Sequence, residues 1–234
     1  MIVLSIGGSL ISPTDHSGKT IGHIEMGYLK RLRRVILKRV ARGEQFIIVT
    51  GGGGPSRAYA KAALKLNTKA KEVDRHWIGI AATKLNAEFF RVLFSPLTHA
   101  VVLGDPTVHI PLSSPVAIAA GWLPGHSTDK DAVVLGHTYN ASMIVNLTNV
   151  DYVYSGDPRK NSAAVVYPEL TWKAYKKVLG MSVFHPSAHA PFDPVASAFA
   201  ERHKLTVTIA NGANLANLEK LLEGKKFKGT VIKP

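Results

Sequence analysis

Residues 49–59, VTGGGGPSRAY, join an apolar run (QFIIVT, 45–50) to a helix-like one (AYAKAALKL, 58–66) through four consecutive glycines, Gly51 to Gly54. Glycine loses more backbone freedom on folding than any other residue, so four in a row imply that something approaches the main chain too closely for side chains. A glycine turn that opens a helix presents free N–H groups and the positive end of the helix dipole, and bare backbone of this kind takes hold of phosphate. Strand, turn and helix in this order are also the repeating unit of an α/β sheet.

The same unit recurs on both sides of this stretch. MIVLSI (1–6) precedes it, and in IEMGYLKRLRRVILKRVARG (24–43) Leu29, Leu32, Val35, Ile36 and Val40 fall on one helical face before Gly43 stops the helix. WIGIAATKLNAEFFRVLF (77–94) reads as a helix, HAVVL (99–103) and PVAIAAG (115–121) as strands, and STDKDAVVLG (127–136) as a capped helix. The second half continues with ASMIVNL (141–147), WKAYKKVLG (172–180), DPVASAFAERH (193–203), LTVTIA (205–210), NLANLEKLLEG (214–224) and GTVI (229–232). Short apolar strands alternating with helices predict an α/β fold, a three-layer αβα sandwich on a mainly parallel sheet, formed as one domain over 1–234. Ligands of such sheets sit beyond the carboxyl ends of the strands, so the loops there are where chemistry is expected.

Lys and Arg total 29 against 16 Asp and Glu, a net charge of +13 that favours anionic partners without choosing among them. There is no cysteine, which excludes disulfides and thiolate metal sites and suits a reducing cytoplasm. The N-terminus lacks a basic leader followed by an apolar core, and no run has the eighteen or so apolar residues of a membrane span; a soluble, cytoplasmic protein with no membrane partner is expected.

Four strand ends are rich in glycine or cap residues: IGGSL (6–10), TGGGGPSR (50–57), AAGWLPGHSTD (119–129) and TNVDYVYSGDPRK (148–160). Each loop costs conformational entropy, so several at successive strand ends point to phosphate chemistry. G-x-x-x-x-G-K-[ST] is absent, which excludes a Walker loop, and no G-x-G-x-x-G opens the first helix, which argues against a dinucleotide fold.

The ordered set IGGS, TGGGGPSR, IGIAATKLNA, PGHSTD, NLTNVDYVYSGDPRK, FDPVAS and KGTVI resembles the amino-acid-kinase superfamily, and within it the archaeal type of uridylate kinase, from Ile2 to about Ile232. The resemblance implies a roughly eight-stranded sheet, an acceptor lobe over about 1–140 and an ATP lobe over about 141–234. It also implies a hexamer and transfer of the ATP γ-phosphoryl group to UMP. Gly8, Ser9 and Asp193 would serve the reacting groups, and Gly51, Gly52, Gly53, Arg57, Asp74, His76, Ser127 and Thr128 would bind UMP. Gly7, Thr148, Asn149, Asp151, Tyr154 and Asp157 would form the ATP pocket. Mg²⁺ would be held largely by nucleotide phosphates.

The chain departs from the family where many members carry lysines: here those positions are Ser5 and Ala198, and Lys19, Arg57, Arg159 and Lys160 are the candidates for the missing cation. The family's usual ribose-binding aspartate is replaced by His76, with Asp74 two residues earlier, and Tyr152 replaces a glycine. Plainer readings stand beside these roles. Asp193, Ser127 and Thr128 also suit helix caps, Asp151 and Asp157 suit turns, and Arg57 suits a surface position. The cations of 30–42 read as a solvated helix face, with no specific nucleic-acid binding expected. His185 and His189, separated by Pro186, read as loop residues rather than metal ligands. Two rival functions fit the same fold: a non-catalytic nucleotide- or oxyanion-binding protein, and a kinase for another small phosphorylated acceptor.

Overall fold

A computed structural model describes residues 1–13, 24–156, 158, 161, 163–179 and 191–234. Lys19, Asp157, Arg159, Lys160, His185 and His189 lie outside the described residues. The first half runs β1 (Ile2–Ile6), α1 (Gly8–Ile11), α2 (Met26–Val40), β2 (Phe46–Thr50), α3 (Gly53–Leu66), α4 (Glu72–Phe94), β3 (Val116–Ala119) and α5 (Thr128–Thr138). The second runs β4 (Met143–Thr148), β5 (Val153–Tyr154), β6 (Val166–Tyr167), β7 (Glu169–Thr171), α6 (Trp172–Val178), α7 (Pro194–Arg202), β8 (Val207–Asn211), α8 (Leu215–Leu222) and β9 (Thr230–Lys233).

Seven strands form one sheet in the order β3-β2-β1-β4-β8-β9-β7, and β5 pairs with β6 in a separate ribbon. All neighbours in the sheet are parallel except β8 and β9. The period-2 geometry of a strand sorts its side chains between two layers. Ile2, Leu4 and Ile6 of β1 and Phe46 and Ile48 of β2 pack with Leu32 and Ile36 of α2, Phe90 and Phe94 of α4, and Leu218 of α8. Val3, Ile47 and Val49 face the other way, against Ala132 and Val133 of α5, Trp172 and Tyr175 of α6, and Ala196 and Ala200 of α7. Burial on both faces explains why these strands read as unbroken apolar runs.

The expected strand at 99–103 touches the sheet only at its ends, through isolated parallel bridges Thr98 to Val116 and Leu103 to Ala119. Val101 between them is 65% exposed. An edge segment whose middle has no apolar surface to cover gains little from a continuous ladder, so the regular sheet has seven strands where the resemblance implies eight. Gly43 ends the α2 turn at φ +84, as its position after the periodic run predicts.

Candidate active site

The sheet sets the geometry. From β1 the chain builds outward to β2 and β3 on one side, and from β4 to β8 on the other, so the strand order reverses between β1 and β4. Because these five strands are parallel, the loops after Ile6, Thr50, Ala119, Thr148 and Asn211 share one edge. A reversal point at the carboxyl edge is where such sheets open a crevice.

Gly7 to Ser9 lie at the centre of that edge. The Gly7 N–H donates to Leu147 O at 3.0 Å, tying the first loop to β4, and the Gly51 N–H donates to Ile6 O at 2.9 Å, tying β2 to the same loop. The two glycine loops then meet main chain to main chain. A Cβ on Gly8 would stand 2.0 Å from Gly53 N, one on Gly51 2.4 Å from Gly8 N, and one on Gly53 2.5 Å from Gly8 O. Gly53 also adopts φ +67, a left-handed conformation that costs other residues. The body that demands bare backbone here is therefore first the opposite loop. The N–H groups of Gly8, Ser9 and Gly52 have no acceptor among the described residues and none of the three residues is buried, so they remain available to an anion, whereas Gly53 is buried against Gly8. Asn86 of α4 fixes the second loop by donating from Nδ2 to Gly51 O at 2.7 Å.

On the α3–α4 side, Arg57 lies exposed on α3 with no carboxylate paired to it among the described residues. Helix α4 runs back along α3, and Gly79 meets Ser56 and Gly52, where a Cβ on Gly52 would come 3.3 Å from Gly79 O. His76 is thus one helical turn from the glycine loop, with Nε2 3.7 Å from Glu72 Oε1. Asp74 accepts the Lys71 N–H at 3.2 Å, farther along the same helix. Ser127 caps α5 by accepting the Lys130 N–H at 3.2 Å, and Thr128 is the first residue of that helix.

On the β4–β8 side, Thr148 ends β4, and its carbonyl accepts the Gly212 N–H at 2.8 Å, joining the loops after β4 and β8. Thr148 Oγ1 donates to Asn149 Oδ1 at 3.3 Å. Asn211 holds Asp151 with a 2.8 Å bond from Nδ2 to Oδ1. Tyr154 sits edge to face with Tyr152, ring centres 6.3 Å apart, and burial together with Asp151 raises its pKa.

Between the two sides stands a pair of carboxylates, of which the sequence reading singled out one. Asp193 caps α7, accepting the Ala196 N–H at 2.7 Å, and its own N–H donates to Asp129 Oδ2 at 3.3 Å. Ser5 Oγ donates to Asp129 Oδ1 at 3.4 Å from the middle of the sheet. Asp129 retains some exposed surface, yet the protein packed around its carboxyl pushes the pKa up to about 7, with Asp193 adding to the rise. Asp193 is held from below: Phe192 N–H donates to Tyr175 Oη at 2.9 Å and that hydroxyl donates to Phe192 O at 2.8 Å.

Two more residues of α5 escaped the sequence reading. Asp131, fully buried, accepts the Trp122 N–H at 3.2 Å and lies 3.4 Å from His126 Nδ1, so it anchors the loop that carries Ser127. Burial raises its pKa to about 7. Lys130 extends along α7, with Nζ 3.7 Å from the centre of the Phe199 ring. Its pKa is lowered by burial and by Arg202 against the pull of Asp193 and Asp131. Ala198, one of the two positions where related chains carry lysine, lies on the exposed face of α7. Asp129 closes the PGHSTD run that carries the resemblance, a signal that pointed to it, whereas the only signal for Asp131 was an acid in the first turn of a helix, which is ordinary helix chemistry.

With this geometry in hand, the chain matches the amino acid kinase family over residues 1–211. It belongs to that family. It is 32% identical to a uridylate kinase of Sulfolobus acidocaldarius over 93% of this chain and 96% of that one. It is 33% identical to a uridylate kinase of Archaeoglobus fulgidus over 99% of both. The crystal structure of uridylate kinase from Archaeoglobus fulgidus superposes with a TM-score of 0.79 over 99% of both chains. A UMP kinase from Bacillus anthracis, 20% identical with a TM-score of 0.77, shares the fold. The family membership agrees with the three layers and with the glycine loops at the reversal point.

Proposed function

We propose that this chain is a uridylate kinase that transfers the γ-phosphoryl group of ATP to UMP, giving UDP and ADP. The observation that carries the reading is the contact of the two glycine loops at the sheet reversal, flanked by α3 and α4 on one side and by the loops after β4 and β8 on the other. Full-length similarity to uridylate kinases supports the choice of acceptor.

In the reaction an oxygen of the UMP phosphate bonds to the γ-phosphorus as the bond from that phosphorus to the β,γ-bridging oxygen breaks, and the electron pair leaves with ADP. Little covalent chemistry falls to the protein; positioning and charge neutralisation dominate. The free N–H groups of Gly8, Ser9 and Gly52 are the donors for the phosphates in flight, Gly53 shapes the second loop by its left-handed turn against Gly8, and Gly7 lies on the ATP side. Gly51 orients the acceptor loop through its bonds to Ile6 and Asn86. Arg57 is the fork for the UMP phosphate, with Ser127 and Thr128 at the start of α5 beside it and His76 and Asp74 toward the ribose. Thr148, Asn149, Asp151 and Tyr154 line the ATP side, and Asp157 belongs to the same loop. Asp193 and Asp129 set the charge between the two nucleotides.

Among the described residues no three His, Cys, Asp or Glu side chains are grouped to hold a metal; Mg²⁺ would be carried by the phosphates, with Asp129 and Asp193 as protein neighbours. Bound there, the ion would neutralise charge on the β- and γ-phosphates.

Two exposed apolar stripes support self-association, for which the family resemblance implies a hexamer. Tyr59 and Leu66 of α3 are 70% and 89% exposed, and Trp77, Leu85 and Val92 of α4 are 47%, 66% and 64% exposed at helical spacing. Among the described residues no helix is long and apolar enough to cross a membrane; the cytoplasm is the proposed location. A coupled assay over UMP, CMP, AMP and acetylglutamate tests the function. UMP is expected to be turned over at least about tenfold better than the others; equal or absent turnover of UMP overturns the reading in favour of another acceptor or of binding without catalysis.

A further inference from the structure

Helix α2 buries Leu29, Leu32, Val35 and Ile36 and turns the opposite face outward. On that face Lys30, Arg31, Arg33, Arg34, Leu37 and Lys38 border an open hollow of about 520 Å³. Five of these six residues are cations. Lys30, Arg31 and Arg34 are exposed, and among the described residues no carboxylate forms an ion pair with them. Lys38 at the far end is paired with Glu219 at 3.1 Å. Arg33 is fixed at the bottom, Nε donating to Leu93 O at 2.7 Å.

The spacing is unfavourable to the isolated helix. Lys30 with Arg33, Lys30 with Arg34, Arg31 with Arg34, and Arg34 with Lys38 stand three or four residues apart, and each such pair of like charges weakens a helix. A neutralising anion would relieve all of them together. From Lys30 to Lys38 the row runs about 12 Å along the axis, a length suited to a few linked phosphates, and two unpaired guanidinium forks grip phosphate oxygens bidentately. Among the described residues Leu37 is the one uncharged residue of the rim and no aromatic side chain lines it, so they offer no stacking platform of the kind a single-stranded nucleic acid uses. None of these residues belongs to the loops at the carboxyl edge of the sheet.

We propose that this face of α2 is a second anion site, which takes a short oligophosphate, either free or as the phosphate tail of a nucleotide. The test is calorimetric titration of inorganic tripolyphosphate into the full chain and into its Arg31→Ala/Arg34→Ala variant, alongside UMP kinase kinetics of both. Both side chains are exposed, so the variant is expected to keep its fold, its kcat and its KM. The expected result is one binding component that weakens about tenfold or more in the variant, beside any component common to both proteins, which belongs to the active site. A parallel titration with CTP distinguishes a nucleotide tail from a free oligophosphate, since only the former gains affinity over tripolyphosphate. Identical binding by the two proteins overturns the site. So does salt-sensitive retention of the wild type on duplex RNA that tripolyphosphate fails to displace, which would assign the face to nucleic acid. Failure of UMP turnover would bear on the kinase reading alone, because the α2 comparison does not depend on it.

Discussion

A Cβ on Gly8 would meet Gly53 N at 2.0 Å and Gly53 Cα at 2.5 Å, backbone atoms that cannot turn aside. Gly8→Ala must therefore part the β1 and β2 loops. We expect it to cost about 3 kcal/mol in urea unfolding and to abolish UMP turnover, whereas Gly104→Ala, where a Cβ meets nothing within 4 Å, leaves both unchanged. Asp131 carries a second prediction, this one in pH. Burial pushes its carboxyl up to about 7 in the fold, against 3.8 for a free side chain. Between those limits the native state binds more protons than the unfolded chain, so stability falls as pH rises, and the loss is complete above about pH 7. Asp131→Asn keeps an acceptor for the Trp122 N–H and removes the charge. Relative to wild type it should be near neutral at pH 4 and more stable by about 3 kcal/mol at pH 8; thermal melts across that range would reveal a flat difference if the carboxyl is not responsible.

Among the elements, α7 separates a structural from a chemical role of one side chain. Asp193 accepts the Ala196 N–H as the N-cap and also stands beside Asp129. Asn caps about as well as Asp, and Ala does not. Asp193→Asn should hold the wild-type melting temperature while Asp193→Ala loses about 1 kcal/mol, and both should lose kcat; a fully active Asn variant would leave Asp193 with capping alone. Most of the elements were legible in the chain, because a strand buried on both faces writes itself as five apolar residues and an amphipathic helix as a 3.6-residue stripe. Residues 99–103 were not, since an apolar run at a sheet edge looks like a strand whether or not its ladder closes.

For the molecule as a whole, the exposed apolar stripes on α3 and α4 are the surface on which the proposed self-association rests. Leu85, 66% exposed in the middle of α4, should lie within the proposed contact between copies. Leu85→Glu is expected to reduce the sedimenting mass without unfolding the chain, as a charge placed in an apolar interface is left without water or partner; an unchanged mass would put the contact elsewhere. Occupancy of the crevice also bears on the whole fold, as ligands that bind only the native state raise the melting temperature.

The order of apolar runs, glycine turns and capped helices was enough to fix the layers and to point at the carboxyl edge, because those signals are local: each depends on residues a few positions apart. The pairing of Ser5 with Asp129 across 124 positions, of Asp129 with Asp193 across 64 and of Asn211 with Asp151 across 60 was decided by tertiary structure. So was the reason for the glycines, which clear the way for each other's backbone before any phosphate arrives. Contacts of this range are set by how the sheet stacks its loops along one edge, and burial, which raises the Asp129 and Asp131 pKa values, exists only once the layers have closed over them.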